Sequence, residues 1–123
     1  MAIDPASVAT YRQYIQAILS ERAEQTFCPP NASEYEVQTV FDQTQDHYQL
    51  LRIGWRGNKR QFGCILHVDI KDGAIWIQHD GTEEGLANRL VEMGVPKQNI
   101  VLAFHEPEIR SYTDFGTGQK TGT

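Results

Sequence analysis

The stretch Gly63-Cys64-Ile65-Leu66-His67-Val68-Asp69-Ile70-Lys71-Asp72-Gly73-Ala74-Ile75-Trp76-Ile77-Gln78 decides the fold. It holds two runs rich in β-branched and aromatic residues with a period of two, and Asp72-Gly73 lies between them. Asp-Gly supplies the two positive-φ positions of a type I′ turn, so the runs are expected to form a hairpin. A two-residue turn places Ile70 opposite Ile75 and Val68 opposite Ile77. It also sets Asp69 against Trp76 and His67 against Gln78.

Working towards the N-terminus, Gly57-Asn58 marks a second two-residue turn. It joins a strand predicted over residues 47–55 to one predicted over 60–70. This register sets Ile53 against Phe62 and Leu51 against Cys64. Simple alternation then gathers Leu51, Ile53, Phe62, Cys64, Leu66, Val68, Ile70, Ile75 and Ile77 on one face, the expected core. Tyr48, Leu50, Arg52, Ile65, His67, Asp69, Trp76 and Gln78 fall on the other. Residues 37–42 read as a further strand.

Helical spacing appears at both ends of this sheet. Val8, Tyr11, Ile15, Ile18 and Leu19 form one apolar stripe, with Asp4-Pro5 as its expected start and Cys28-Pro29-Pro30 beyond its end. A second helix is predicted over 82–93, capped by Asp80 or Thr82. Leu86, Ala87, Leu90 and Val91 are its stripe, and Gly94-Val95-Pro96 is its stop. A fifth strand is predicted over 100–104, and residues 116–123 are expected to be a disordered tail. The fold class is therefore α+β: an antiparallel meander of four strands, a fifth strand, and two helices packed on one face, in a single domain over 1–123.

The 123 residues are 40% hydrophobic, enough for one globular core and no more. No apolar run is long enough to span a membrane and no export signal is visible, so a cytoplasmic chain is expected. Cys28 and Cys64 read as ordinary reduced thiols. The net charge of −5 argues against a dedicated nucleic-acid-binding domain, while leaving room for a local basic patch.

The ordered segments His47-Tyr48-Gln49-Leu50-Leu51, Gly54-Trp55, Gly63 to His67, Asp69 to Gly73, Ile75 to Gln78, Asp80 to Glu83, Met93 to Lys97 and Ile100 to His105 resemble the XisI-like family. These are the fdxN element excision controlling factors of cyanobacteria, and the likeness runs from about Tyr11 to Phe115. The resemblance implies an accessory factor, not an enzyme, that binds a XisH-like partner and thereby controls DNA excision or processing. It carries no catalytic positions. The Gly116-Thr117-Gly118-Gln119-Lys120 ending departs from the short hydrophobic finish of the family.

Three surface features remain. Tyr48, Leu50, Ile65 and Trp76 would form an apolar patch on the mixed face. Left open it is a partner interface or a homodimer contact; otherwise a helix of the same chain covers it. Arg52, Arg56, Lys59 and Arg60 concentrate positive charge on one hairpin, with no Asp or Glu between His47 and Val68. They suit phosphate or an acidic partner surface and equally a solvated hairpin tip, and direct DNA binding through them is the alternative function. Last, His67 and Asp69 with Tyr48 could do acid–base work, or with His79 hold a metal. Without a nucleophile motif, and with His79 expected on the opposite face, the cluster reads as a polar hydrogen-bonded group. No catalytic residue, metal or cofactor is expected.

Overall fold

The computed structural model describes residues 7–26 and 32–118. The expected Asp4-Pro5 helix start, Cys28 and residues 119–123 lie outside them. Along the chain run α1 (Val8–Gln25), β1 (Ala32–Asp42), β2 (His47–Arg56), β3 (Lys59–Lys71), β4 (Ala74–Asp80), α2 (Leu86–Glu92) and β5 (Ile100–Leu102). The five strands form one sheet in sequence order. Neighbours are antiparallel except β4 and β5, which run parallel because α2 makes the crossover. The α+β class is as expected.

Local chemistry explains the element ends. Ser7 caps α1, its hydroxyl accepting from the Thr10 amide at 3.1 Å. At the β3–β4 turn, Asp72 and Gly73 take φ of 53° and 76°, the two left-handed positions of the type I′ turn. Gly57 alone is left-handed in the β2–β3 turn, at 63°, which is the type II′ signature. Beyond α2, the Val95 amide donates to the Leu90 carbonyl at 3.1 Å and the Gly94 amide to that of Val91 at 3.0 Å. Gly94 sits at φ 105°, and Val95 is buried, completing a Schellman stop. At the start of α2, Asp80 reaches across the loop and accepts from the Leu86 amide at 2.7 Å, while Gly85 occupies the cap. The helix therefore begins at Leu86, the first residue of the stripe, and four residues later than the expected start at Thr82.

Both helices lie on one face of the sheet, here called inner. Tyr11, Ile15, Ile18 and Leu19 of α1 and Leu86 and Leu90 of α2 join Tyr48, Leu50, Leu66, Val68, Ile70, Ile75, Ile77 and Ile100 in one buried cluster. Polar locks tie the layers together. Arg12 of α1 donates twice to Asp46 in the β1–β2 turn, at 2.7 and 3.0 Å, and the Tyr48 hydroxyl donates to the same carboxylate at 2.7 Å. The Asn99 amide donates to the Tyr11 hydroxyl at 2.7 Å. Arg22 of α1 pairs with Glu84 before α2 at 2.7 Å.

The sheet departs from the predicted alternation at two bulges. The β2–β3 register holds from Arg56↔Lys59 to Leu51↔Cys64, as the turn requires; then Leu50 pairs with Leu66, leaving Ile65 as an extra residue. The Gly81 amide satisfies the Ile65 carbonyl at 2.8 Å, so the bulge strands no buried polar group there. The phase of β3 reverses across Ile65. Consequently Leu66, Val68 and Ile70 face inward as expected, while Phe62 and Cys64 face outward, beside Leu51 and Ile53. Tyr48 and Leu50, expected on the mixed face, are fully buried under α1. On β4, Ile70↔Ile75, Asp69↔Trp76 and Val68↔Ile77 follow the prediction, but a second bulge at Gln78 sets His67 opposite His79 instead.

Candidate functional site

The outer face divides into a covered end and a bare end. At the covered end Trp76 is only 8% exposed, although the helices lie on the other side. Its lid is the C-terminal segment. Arg110 is fixed by bonds to the carbonyls of His105 and Ala103, at 3.1 and 3.2 Å, and its guanidinium stands 5.5 Å from the indole centroid. Lys71 stands 4.5 Å from the same ring, and its carbonyl accepts from the indole nitrogen at 3.1 Å. Gly116 hydrogen-bonds to the carbonyls of Lys97 and Ile100 and bridges to Val101. Gly118 lies so close to the indole that a side chain there would overlap it. Residues 116–118 are thus placed on the sheet, where a disordered tail had been expected.

The bare end spans β1, β2 and β3. Val40, Trp55 and Phe62 are 44%, 37% and 67% exposed, with the half-buried Leu51, Ile53 and Cys64 between them. Burial pushes the Cys64 thiol pKa up, which keeps it neutral. No helix or loop among the described residues packs over this surface. The anticipated apolar patch therefore exists, but with other members. Tyr48 and Leu50 are core residues, Ile65 is half-buried against the core, and Trp76 is covered. One displaced residue in β3 accounts for the exchange of Tyr48 and Leu50 for Leu51 and Ile53, and the C-terminal segment for the loss of Trp76.

The basic hairpin sits at one end of this surface. Arg52, Arg56, Lys59 and Arg60 are all exposed, and among the described residues no carboxylate pairs with them. They do not form one cluster. Arg56 and Lys59 are cross-strand partners in phase with Arg52, whereas Arg60 pairs with Trp55 on the outer face. The Arg60 guanidinium lies 5.3 Å from the Trp55 ring and 6.0 Å from that of Phe62. An apolar, cationic rim results at the hairpin end.

At the opposite end of the bare surface lies a polar cluster. Asp69 Oδ1 accepts from His47 Nδ1 at 2.8 Å and from His67 Nε2 at 2.9 Å. Gln49 Nε2 is 3.0 Å from His67 Nδ1, and Gln78 Nε2 donates to Asp69 Oδ2 at 3.3 Å. Burial works against the Asp69 charge, but the hydrogen bonds from His47 and His67 together outweigh it and hold the carboxyl below the usual carboxylate range. The same bond from Asp69 raises the His47 pKa. His67 and Asp69 do cluster as foreseen. Their third member is His47, the cross-strand partner of Asp69, and neither Tyr48 nor His79. Tyr48 points to the other face, where burial and then Asp46 push its hydroxyl up to about 12. His47 was findable in the sequence only through the bulge, since uninterrupted alternation opposes it to Val68.

Comparison with known proteins places this architecture. A family model described as XisI protein matches residues 6–117. A solved XisI-like protein from Anabaena variabilis ATCC 29413 is 37% identical, with a TM-score of 0.82 over 89% of this chain and 98% of that one. The fdxN element excision controlling factor XisI from the same strain is 30% identical, with a TM-score of 0.78 over 94% of this chain and all of that one. No curated protein matches. The resemblance carried by the strand and turn segments and the five-stranded α+β fold agree with these matches, and the chain belongs to the XisI family.

Proposed function

We propose that this chain is a non-enzymatic accessory factor that binds a protein partner through the bare end of its outer sheet face, and thereby controls DNA excision or processing. The partner class is a XisH-like, nuclease-like protein. The observation that carries the reading is the uncovered apolar surface of Val40, Leu51, Ile53, Trp55 and Phe62, rimmed by the Arg60 guanidinium at one end. A surface of this kind in a small domain suits a binding face. The name of the solved relative, an excision controlling factor, points the same way.

Co-expression with a XisH-like protein should give a complex that survives purification at low salt. Phe62→Asp and Ile53→Asp should abolish it while leaving the thermal transition of the free chain nearly unmoved. No co-purification of the parent chain at low salt sinks the proposal. A twofold dimer of this chain on the same face is the competing occupant. It would appear as a doubled mass of the free protein that Phe62→Asp halves.

A second reading, direct DNA contact, is favoured by the four exposed cations of the hairpin, none of which pairs with a carboxylate among the described residues. A gel-shift titration would show binding that weakens steeply with salt and disappears when Arg52, Arg56, Lys59 and Arg60 are neutralised. Absence of a shift at low salt removes it.

A further inference from the structure

The polar cluster at the other end of the outer face invites a more specific assignment. Two imidazoles and one carboxylate converge with one candidate ligand atom each, all within 4.8 Å of one another. They stand on two paired antiparallel strands, which fix their backbones. Asp69 Oδ1 is the hub, already 2.8 Å from His47 Nδ1 and 2.9 Å from His67 Nε2. Tetrahedral coordination with metal–ligand bonds near 2.1 Å needs donor atoms about 3.4 Å apart. The two hydrogen-bond separations thus need to open by about half an ångström, and the His47 ring is exposed enough to make that shift.

The surrounding groups suit the same purpose. Gln78 occupies Asp69 Oδ2, which aims Oδ1 at the histidines. Gln49 faces the second nitrogen of His67. With an ion on His67 Nε2, the ring proton moves to Nδ1, and the Gln49 amide turns to accept it through its oxygen. The His47 proton moves to Nε2, on the side open to water. Electrostatics favour a cation as well, since the His47 ring also feels Asp42 and Asp46.

We infer that His47, His67 and Asp69 form a binding site for a divalent transition-metal ion of the imidazole-preferring class, represented by zinc, with Gln49 and Gln78 orienting the ligands. Three protein ligands leave a coordination position directed at solvent. This site stands apart from the partner-binding reading, and the failure of either leaves the other intact.

The test uses the full untagged chain stripped with a chelator, and zinc ion alone as the probe. Calorimetric titration should show one ion per chain, and added zinc should raise the melting temperature. Cobalt(II) should give the visible absorption of a four- or five-coordinate site. His47→Ala, His67→Ala and Asp69→Asn should each weaken binding by at least about tenfold, and Gln49→Leu by about tenfold through lost orientation. His79→Ala and His105→Ala should bind as the parent does. Metal-free melting curves check that each variant folds. Saturable binding that survives His47→Ala and His67→Ala, or no saturable binding by the parent chain, overturns the assignment.

Discussion

The two faces of one sheet are built from the same strands and have opposite characters. On the inner face Tyr48, Leu50, Leu66, Val68 and Ile70 are buried under α1. On the outer face their immediate neighbours Leu51, Ile53, Phe62 and Cys64 are half or fully exposed. Composition does not separate the sets; both are apolar. What separates them is phase. A strand shows alternate residues to alternate sides, and the helices can cover one side only. Apolar residues in the uncovered phase bury less of their surface on folding unless another molecule covers them, which is why the outer set carries the functional proposal and the inner set most of the stability.

The largest effect follows directly. Leu66→Ala should cost about 2–5 kcal/mol, because it empties a fully buried site under α1. Phe62→Ala, four residues away and just as apolar, should shift stability by no more than about 0.5 kcal/mol, because that ring is 67% exposed. Urea melts of the two variants measure the contrast directly. Equal costs would show that the faces are not as unlike as the burial says.

A subtler variant tests the switch itself. Deleting Ile65 removes the extra residue and leaves Leu51↔Cys64 and Leu50↔Leu66 as consecutive pairs of a regular ladder. The faces should therefore keep their members, at a cost of about 1–2 kcal/mol for the lost side-chain packing. Cys64 alkylation reads this: the deletion variant should react at a rate close to that of the parent. A thiol that becomes protected would mean that Cys64 had turned inward and that the strand had slipped.

Much of the fold was legible because its determinants are local. Asp72-Gly73 and Gly57-Asn58 specified two hairpins and their registers near the turns. The α1 stripe and the Gly94-Val95 stop needed only helical spacing and one left-handed position. The bulge had no such mark. Cys64-Ile65-Leu66 is apolar throughout, so any of the three fits either side, and Tyr48-x-Leu50 offered as good an inward pair as Leu51-x-Ile53. The choice fell to packing against α1, where Tyr48 also reaches Asp46, and long-range contacts of that kind leave no periodic trace. The error then spread to the candidate site. It exchanged Leu50 for Leu51 in the patch and hid His47 from Asp69. The cover over Trp76 was missed for a related reason: a Gly/Thr-rich ending looks unstructured until a flat indole is found beneath it.

The smallest effect separates two carboxylates, one serving each face. Asp46 is held below the usual carboxylate range first by its bond to the Arg12 guanidinium, and Asp69 by two histidines acting against burial. Both folded pKa values lie below the ordinary aspartate value of 3.8, so both carboxylates contribute stability above it and lose that contribution as pH falls through the folded values. Their upper limits differ. A guanidinium keeps its charge, so the Arg12–Asp46 lock persists into alkaline solution. His47 has a folded pKa raised above 6.5. Its charged pairing with Asp69 is therefore fully present below that value and is lost as pH rises through the folded one. In metal-free protein the destabilisation by Asp46→Asn should be the same at about pH 6 and about pH 9, whereas that by Asp69→Asn should shrink towards about pH 9. If both costs stay constant, His47 is not charged against Asp69 at the lower pH, and the outer face has no ionic lock of its own.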